Sequence, residues 1–206
     1  MAEETEKSEK PEKTEKSGKL EKSGKTEQTG GPSWGAESAA LEKWLQFEEF
    51  SHRDAWDTAI KILKLYKKMT AGREIKKGIG IRIAVDGTVV FQYLMDGKKD
   101  DSWLVRKQNT VERFGHSSMY LWEVNERTHE YENLKTDPRF AVCGGAFPLI
   151  IGGEVKGAAA VSGLVHYEDH ELVVQALKEL KEEKEERHEN RNSGNRNDRK
   201  SSDEDH

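Results

Sequence analysis

Cysteine is all but missing from this chain. Cys143 is the single one among 206 residues, so no intrachain disulfide can form, which fits a reducing compartment. No apolar run approaches the length of a membrane span, which excludes a transmembrane helix from the sequence pattern. The first residues, Met-Ala-Glu-Glu, lack the apolar core of a secretory signal, and the glutamates that follow argue against a transit peptide. The expected setting is cytoplasmic. An excess of positive charge is missing too. The formal net charge is −5, which speaks against a generic polyanion binder and makes nucleic acid an unfavoured partner. Hydrophobic residues make up only 33% of the chain and charged ones 35%. A chain this polar cannot be packed throughout, and part of it is expected to be unfolded.

What is present falls into three zones. Residues 1–36 repeat a Glu-Lys-Ser/Thr-Gly-Lys theme with almost no hydrophobic residue except Leu20, and read as a disordered charged tail, because so little apolar surface cannot offset the entropy of ordering. Residues 182–206 are similarly polar and aperiodic and read as a second disordered tail; weak RNA binding by its mixed charges is the less favoured alternative to a solvated tail. Between them, residues 37–181 are enough for one real core. Helical spacing is expected over Glu37–Phe50, with Leu41, Trp44, Leu45 and Phe50 as apolar points. A second helix follows Ser51, a good N-cap with Asp54 three residues on, and carries Trp56, Ala59, Ile60, Leu63 and Tyr66 towards a stop at Gly72.

Ile79 to Val85, the turn Asp86-Gly87 and Val89 to Met95 read as a hairpin. Asp100 and Asp101 open a helix with Trp103, Leu104, Val111 and Phe114, broken near Gly115-His116 and resuming through Leu121 and Val124. Asn125 to Arg139 reads as loop. Phe147–Ile151, Gly152-Gly153 and Val155–Val161 form a second hairpin, and a last helix after Tyr167 carries Leu172, Val173, Ala176, Leu177 and Leu180. Strands that arrive as hairpins favour an α/β chain of the α+β type, an antiparallel sheet with helices packed on it, over a doubly wound parallel sheet. Gly144-Gly145 and Gly152-Gly153 read as backbone devices. Ala158, Ala159 and Ala160 suggest a strand packed closely against a helix or a neighbouring subunit.

Two passages carry a resemblance. One is Val111-Glu-Arg-Phe-Gly-His-Ser-Ser118, preceded by Trp103-Leu-Val-Arg-Lys107. The other is Gly144-Gly-Ala-Phe-Pro148, followed by Gly157-Ala-Ala-Ala-Val-Ser-Gly-Leu164 and Asp169-His-Glu-Leu-Val-Val-Gln-Ala-Leu177. Together, and over about Glu49 to Leu180, they resemble an uncharacterised protein family within the haem-degrading-domain superfamily, whose relatives include the glycolate-operon accessory protein and a secreted haem-binding protein. The resemblance implies a profilin-like fold, a central antiparallel sheet flanked by helices, and a ring-like or stacked homo-oligomer. It implies no settled activity. Members of the family carry His before the Gly-Gly pair where this chain has Cys143, so a role resting on an imidazole there does not carry over.

Several residues are candidates for chemistry. Arg106, Asn109, Thr110 and Arg113 stand at i, i+3, i+4 and i+7 of the third helix, with His116, Ser117 and Ser118 extending the stripe. Converging guanidiniums, an imidazole and hydroxyls suit a carboxylate or phosphate; the alternative is a solvated face paired to Glu112 or Glu126. Ser162-Gly163-Leu164, running into a helix start at Glu168-Asp169-His170, can present backbone N–H groups to an anion; the alternative is a turn in which Asp169 complements the helix dipole. The expected ligand-binding set is therefore Arg106, Asn109, Arg113, His116, Ser117, Gly144, Gly145, Ser162, Gly163 and His170. His166 and His170 have metal-ligand spacing, but a half-buried hydrogen-bonded histidine is the plainer account and no metal is expected. Cys143 reads as a small buried hydrophobe before it reads as a nucleophile paired with His116. Haem remains open as a noncovalent ligand, with His, Cys or Met119 as axial candidates. Three functions stay in view: an oligomeric binder of an anionic or haem-like small ligand; a non-enzymatic adaptor for cytosolic protein partners in targeting or quality control; and, least favoured because no partner carboxylate stands in a matched motif, an enzyme using His116 as acid or base.

Overall fold

A computed structural model describes residues 35–75 and 77–201. The expected N-terminal tail lies outside these residues except for its last two, as do residues 202–206. Among the described residues, five helices and four strands run α1 (Ala36–Trp44), α2 (His52–Met69), β1 (Gly80–Val85), β2 (Thr88–Leu94), α3 (Ser102–Phe114), α4 (Ser118–Thr128), β3 (Ala146–Ile151), β4 (Glu154–Ser162) and α5 (His166–Ser201), with a short 3₁₀ turn over Glu132–Lys135. The strands form one antiparallel sheet in the order β2-β1-β4-β3. This is the expected α+β arrangement of helices on an antiparallel sheet.

Strand alternation sorts side chains to two unlike faces. Ile81, Ile83, Phe147, Leu149, Ala159 and Val161 point to one side and join the buried faces of α2 and α5, including Ala59, Ile62, Leu172, Val173 and Leu177, in the main core. Ala146, Ala158 and Ala160 point to the other side, where Leu104 and Val111 of α3 pack. The small side chains let α3 lie close to β4. Gly157 allows the neighbouring close approach within the sheet: a Cβ there would collide with the Ala84 carbonyl of β1. The alanine run is thus a seat for a helix of the same chain.

Local signals explain most element ends. The Ser51 hydroxyl accepts from Asp54 N (3.2 Å) and the Asp54 carboxylate accepts from Ser51 N (2.7 Å), a reciprocal cap that starts α2. Trp56, expected on the buried stripe, is instead 52% exposed and meets Phe91 of β2 edge-on at 5.9 Å. α3 ends at Gly115, left-handed at φ 73°, and Ser117 caps α4 by accepting from Tyr120 N (3.1 Å).

Three boundaries differ from expectation. The first helix stops at Trp44, not Phe50, because Leu45 and Phe47 turn inward. Phe47 N–H donates to Ile150 O and its carbonyl accepts from Gly152 N, both at 2.9 Å, in a bridge along the β3 edge. α4 runs to Thr128, into the stretch expected to be loop. Its Asn125 is buried and organises the following turn, donating to Glu132 (2.9 Å) and accepting from Tyr131 N (2.8 Å). The last helix begins at His166 and continues to Ser201, so the segment from Glu182 to Ser201, expected as disordered tail, is helical. Lys181 donates to Gln46 O (3.3 Å), and Lys184 donates to Glu49 O (3.1 Å) and the Asp54 carboxylate (2.9 Å). These bonds are what a polar segment without apolar periodicity does not advertise.

Candidate functional site

The stripe on α3 does not gather around a ligand space. Arg106 Nε donates to Phe140 O (2.8 Å), Asn109 Nδ2 donates to Arg139 O (3.0 Å), and the Thr110 hydroxyl accepts from Ala141 N (2.9 Å). These side chains fasten the segment 139–141 onto α3. Arg113 is exposed, with no hydrogen bond or ion pair among the described residues. His116 Nδ1 lies 2.7 Å from a carboxylate oxygen of the buried Glu42, whose other oxygen accepts from Ser117 N (2.7 Å), and the imidazole stacks on Tyr120 at 4.1 Å. Glu42 thereby ties α1 to the start of α4. Among the described residues, Arg106, Arg113 and His116 line none of five cavities. The expected convergence of these three is corrected accordingly: carbonyls and a glutamate from other elements took up the donors, and no spacing rule within one helix reports that.

A different cavity holds chemistry. It measures about 340 Å³ and lies where the ends of β4 and the start of α5 meet α3, with Lys77, Lys98, Trp103, Lys107, His166 and Asp169 on its walls. Gly78, Cys143, Ser162, Gly163 and Leu164 complete the lining. Its floor is an ion pair. Lys107 is 2% exposed and donates to Asp169 Oδ2 and Val161 O, both at 2.9 Å. Asp169 also accepts from Gly163 N (3.3 Å) and Leu164 N (2.9 Å). The backbone N–H groups expected to present themselves to an anion are therefore already bound, by the chain's own carboxylate. A buried charge is tolerated only when paired and hydrogen-bonded, and this one is. Gly145 makes room for it: at φ 119° its missing side chain leaves the space that the Lys107 ammonium and Asp169 occupy. Gly144 contributes its N–H, which donates to His166 Nδ1 (3.2 Å).

Above that floor the cations are unmatched. Asp169 is the one carboxylate among the lining residues, facing three lysines. Lys98 is half-buried and donates to the Ser162 hydroxyl (3.1 Å), and burial pulls its amine below the usual range, against the opposing pull of the Asp169 carboxylate, which outweighs the push of the Lys107 charge. Lys77 is exposed at the rim. Burial lowers His166 as well, with Lys107 acting in the same direction, so this imidazole is neutral. Burial pushes the Cys143 thiol up, away from thiolate. Trp103 offers the cavity an aromatic wall and carries the Arg106 guanidinium over its ring at 4.3 Å, so Arg106 stands one side chain behind the cavity.

Of the expected set, the structure brings Ser162 and Gly163 to the wall of this cavity, with Gly144 and Gly145 behind it, against His166 and against Lys107 and Asp169. It leaves Arg106, Asn109, Arg113, His116 and Ser117 on other duties. His170 lines a separate space beside Met119, Tyr167 and Val174, where burial pulls it down to about 4. Lys107 and Lys98 were missed, although Lys107 carried a signal. It sits at i+3 from Leu104 and i−4 from Val111, on the buried stripe of α3, where a lysine demands a partner.

Haem fits this cavity poorly as an iron-ligated group. His166 Nδ1 accepts from a backbone N–H, so the neutral ring carries its proton on Nε2, the opposite of the pattern in a metal-ligating histidine, whose second nitrogen donates outward. The protonated Cys143 thiol is no better a donor. His116, whose Nδ1 faces a carboxylate, has the right free nitrogen but lines none of the five cavities. Among the described residues no group of three or more His, Cys, Asp or Glu could hold a metal ion.

Comparison with known proteins agrees with the fold. A UPF0303 protein of Streptomyces coelicolor is 35% identical over 150 residues, 69% of this chain and 90% of that protein. One from Rhizobium meliloti is 38% identical over 147 residues, 68% of this chain and 86% of its own length. The crystal structure of the Ybr137w protein superposes with a TM-score of 0.59 at 28% identity, covering 68% of this chain and 83% of that one. The Klebsiella pneumoniae protein ORFY, at 18% identity and a TM-score of 0.50, covers 66% of this chain and 93% of its own, and shows the fold alone. The sequence pattern described as "Haem degrading protein HbpS-like" matches residues 50–178, which contain the sheet, α3, α4 and every wall of the lysine-lined cavity. The chain belongs to the HbpS-like family that this pattern defines.

Proposed function

We propose that this protein binds a small ligand through a carboxylate or comparable anionic group, seated in the cavity between α3 and the β4–α5 turn. The observation that carries the reading is the charge imbalance there: three ammonium groups and one carboxylate, the latter already taken by Lys107 and two backbone N–H groups. Lys77 at the rim and Lys98, which has a hydroxyl for its partner, are the two cations an incoming anion would meet. Trp103 supplies the apolar contact and His166 Nε2–H a further donor. A volume of about 340 Å³ suits a small molecule.

The family description points to haem, and a haem propionate is itself a carboxylate. The same lysines would accept it or a small organic acid. The test is calorimetric titration of the full chain with lactate, malonate and haemin. Binding of the small acids, weakened at least ~10-fold in Lys98→Met, or about 1.4 kcal/mol, and unchanged in Arg113→Ala, supports the reading. Binding of haemin alone would make the propionate the relevant carboxylate. Binding that survives Lys98→Met, or that Arg113→Ala removes, overturns it.

We also infer a homo-oligomer in the cytoplasm. Supporting the first, β2 is an edge strand on which Val89 (39% exposed) and Tyr93 (44% exposed) face outward, the kind of edge that an isolated subunit usually protects. Supporting the second is the single free thiol, Cys143. Native mass spectrometry reads the stoichiometry and any co-purified ligand together.

A further inference from the structure

We propose that Lys98 is a nucleophile that forms an imine with an α-oxo acid in this cavity, Lys77 holding the carboxylate while the Lys98 amine meets the adjacent carbonyl. The inference rests on the anion-binding reading above and goes beyond it, from binding to covalent chemistry.

Geometry comes first. Lys98 follows β2 and reaches into the cavity, where its Nζ is placed by the Ser162 hydroxyl at 3.1 Å. Among the described residues no carboxylate forms an ion pair with it, and Asp169 and Asp100 act on it only through space. Two other lysines border the same space, and one, Lys107, is occupied by its ion pair with Asp169. Partly desolvated surroundings and a hydroxyl as hydrogen-bond partner are the arrangement that favours a neutral, nucleophilic lysine amine. The direction of the Lys98 titration agrees with that arrangement. Lys99, the next residue, is exposed and does not line this cavity, so it serves as a comparison amine in the same chain.

The ligand class follows from the walls. An aldehyde or ketone carbon is what an amine condenses with, and a carboxylate is what the remaining exposed lysine at the rim accepts. A compound bearing both on adjacent carbons satisfies Lys98 and Lys77 together. In the first step the neutral Nζ attacks the carbonyl carbon. The C–N bond forms, the C=O π pair moves to oxygen, and oxygen takes the proton that nitrogen releases. In the second step the nitrogen lone pair forms C=N, and the carbinolamine oxygen departs as water with a proton from solvent. This leaves a protonated imine. Overall, amine, carbonyl compound and one proton give iminium and water, with no oxidant or reductant. His166 Nε2–H can donate to the carbinolamine oxygen, since its Nδ1 is occupied by Gly144 N–H.

The test is reductive trapping on the full chain. Pyruvate or glyoxylate is added with cyanoborohydride, and the modified residue is found by peptide mass mapping; lactate, which has the carboxylate but no carbonyl, is the control. Expected is one adduct per chain on Lys98, at least ten times the yield at Lys99 or Lys77, with none from lactate and at least a tenfold loss of total adduct in Lys98→Arg. Calorimetry with pyruvate and lactate runs in parallel. Pyruvate binding without preferential trapping at Lys98 overturns the covalent step and leaves the anion reading intact. Neither binding nor trapping removes both. Adducts spread over the exposed lysines, unchanged in Lys98→Arg, also overturn it.

Discussion

Lys107 and Asp169 are each almost wholly enclosed, yet both are charged groups in a chain with abundant solvent-facing positions for such residues. Attraction between them is largely offset by the cost of taking both out of water, but removing one partner leaves the other buried and unpaired. Lys107→Met should therefore lower unfolding stability by about 3–5 kcal/mol in urea titration. Lys107→Met with Asp169→Asn should cost clearly less than the two single changes summed, because the Asn side-chain oxygen still accepts from Leu164 N–H. His170 gives a pH dependence. Burial lowers it from the ordinary 6.5 to about 4, so between those values the unfolded chain holds a proton that the folded one does not. Stability is then complete above about pH 6.5 and falls as pH drops towards 4, by on the order of 3 kcal/mol. Urea midpoints at about pH 7.5 and pH 5 measure this; His170→Met should flatten the slope, leaving the smaller contribution of His166, which shifts the same way.

At the scale of elements, α5 does two jobs. Its first turns supply His166, Asp169 and the core residues Leu172, Val173 and Leu177; its later turns clamp α2 and the residues before it through Lys181 and Lys184. Lys184 and Asp54 are both poorly exposed, which makes their contact worth more than a surface pair, and Asp54 also closes the cap of α2. A chain ending after Glu189 keeps all of these bonds and should melt within about a degree of the full chain. One ending after Lys181 loses Lys184 and should melt several degrees lower, about 1–2 kcal/mol at the scale of a charged hydrogen bond. Calorimetric melting of both truncations checks this.

For the whole molecule, the sheet separates two surfaces of different kind. Bulky aliphatic residues face α2 and α5, and small ones face α3. The lysine-lined cavity lies on the α3 side, where close packing brings a helix, two strand ends and a helix start together. A ligand that occupies it binds only the folded chain. At 100 times its dissociation constant it should therefore add ~2.7 kcal/mol of stability, seen as a rise in Tm that Lys98→Met abolishes.

Much of this architecture was readable from one dimension. The Ser51–Asp54 cap, the Asp86-Gly87 turn, the break at Gly115 and both hairpins are local signals, settled by backbone conformations and hydrogen bonds within a few residues, and the structure contains all of them. The alanine run announced a close approach without naming what approached. Ligand chemistry was not local in that sense. Spacing put Arg106, Asn109, Thr110 and Arg113 on one face, but whether that face meets a cavity or the backbone at 139–141 depends on residues about thirty positions away. Lys98 and Lys77 come from segments outside α3, and become a site only when β4 and α5 fold against that helix. Helix and strand identities rest on neighbours along the chain, so the sequence determined them; a shared charge environment rests on neighbours in space, and only the tertiary structure could decide it.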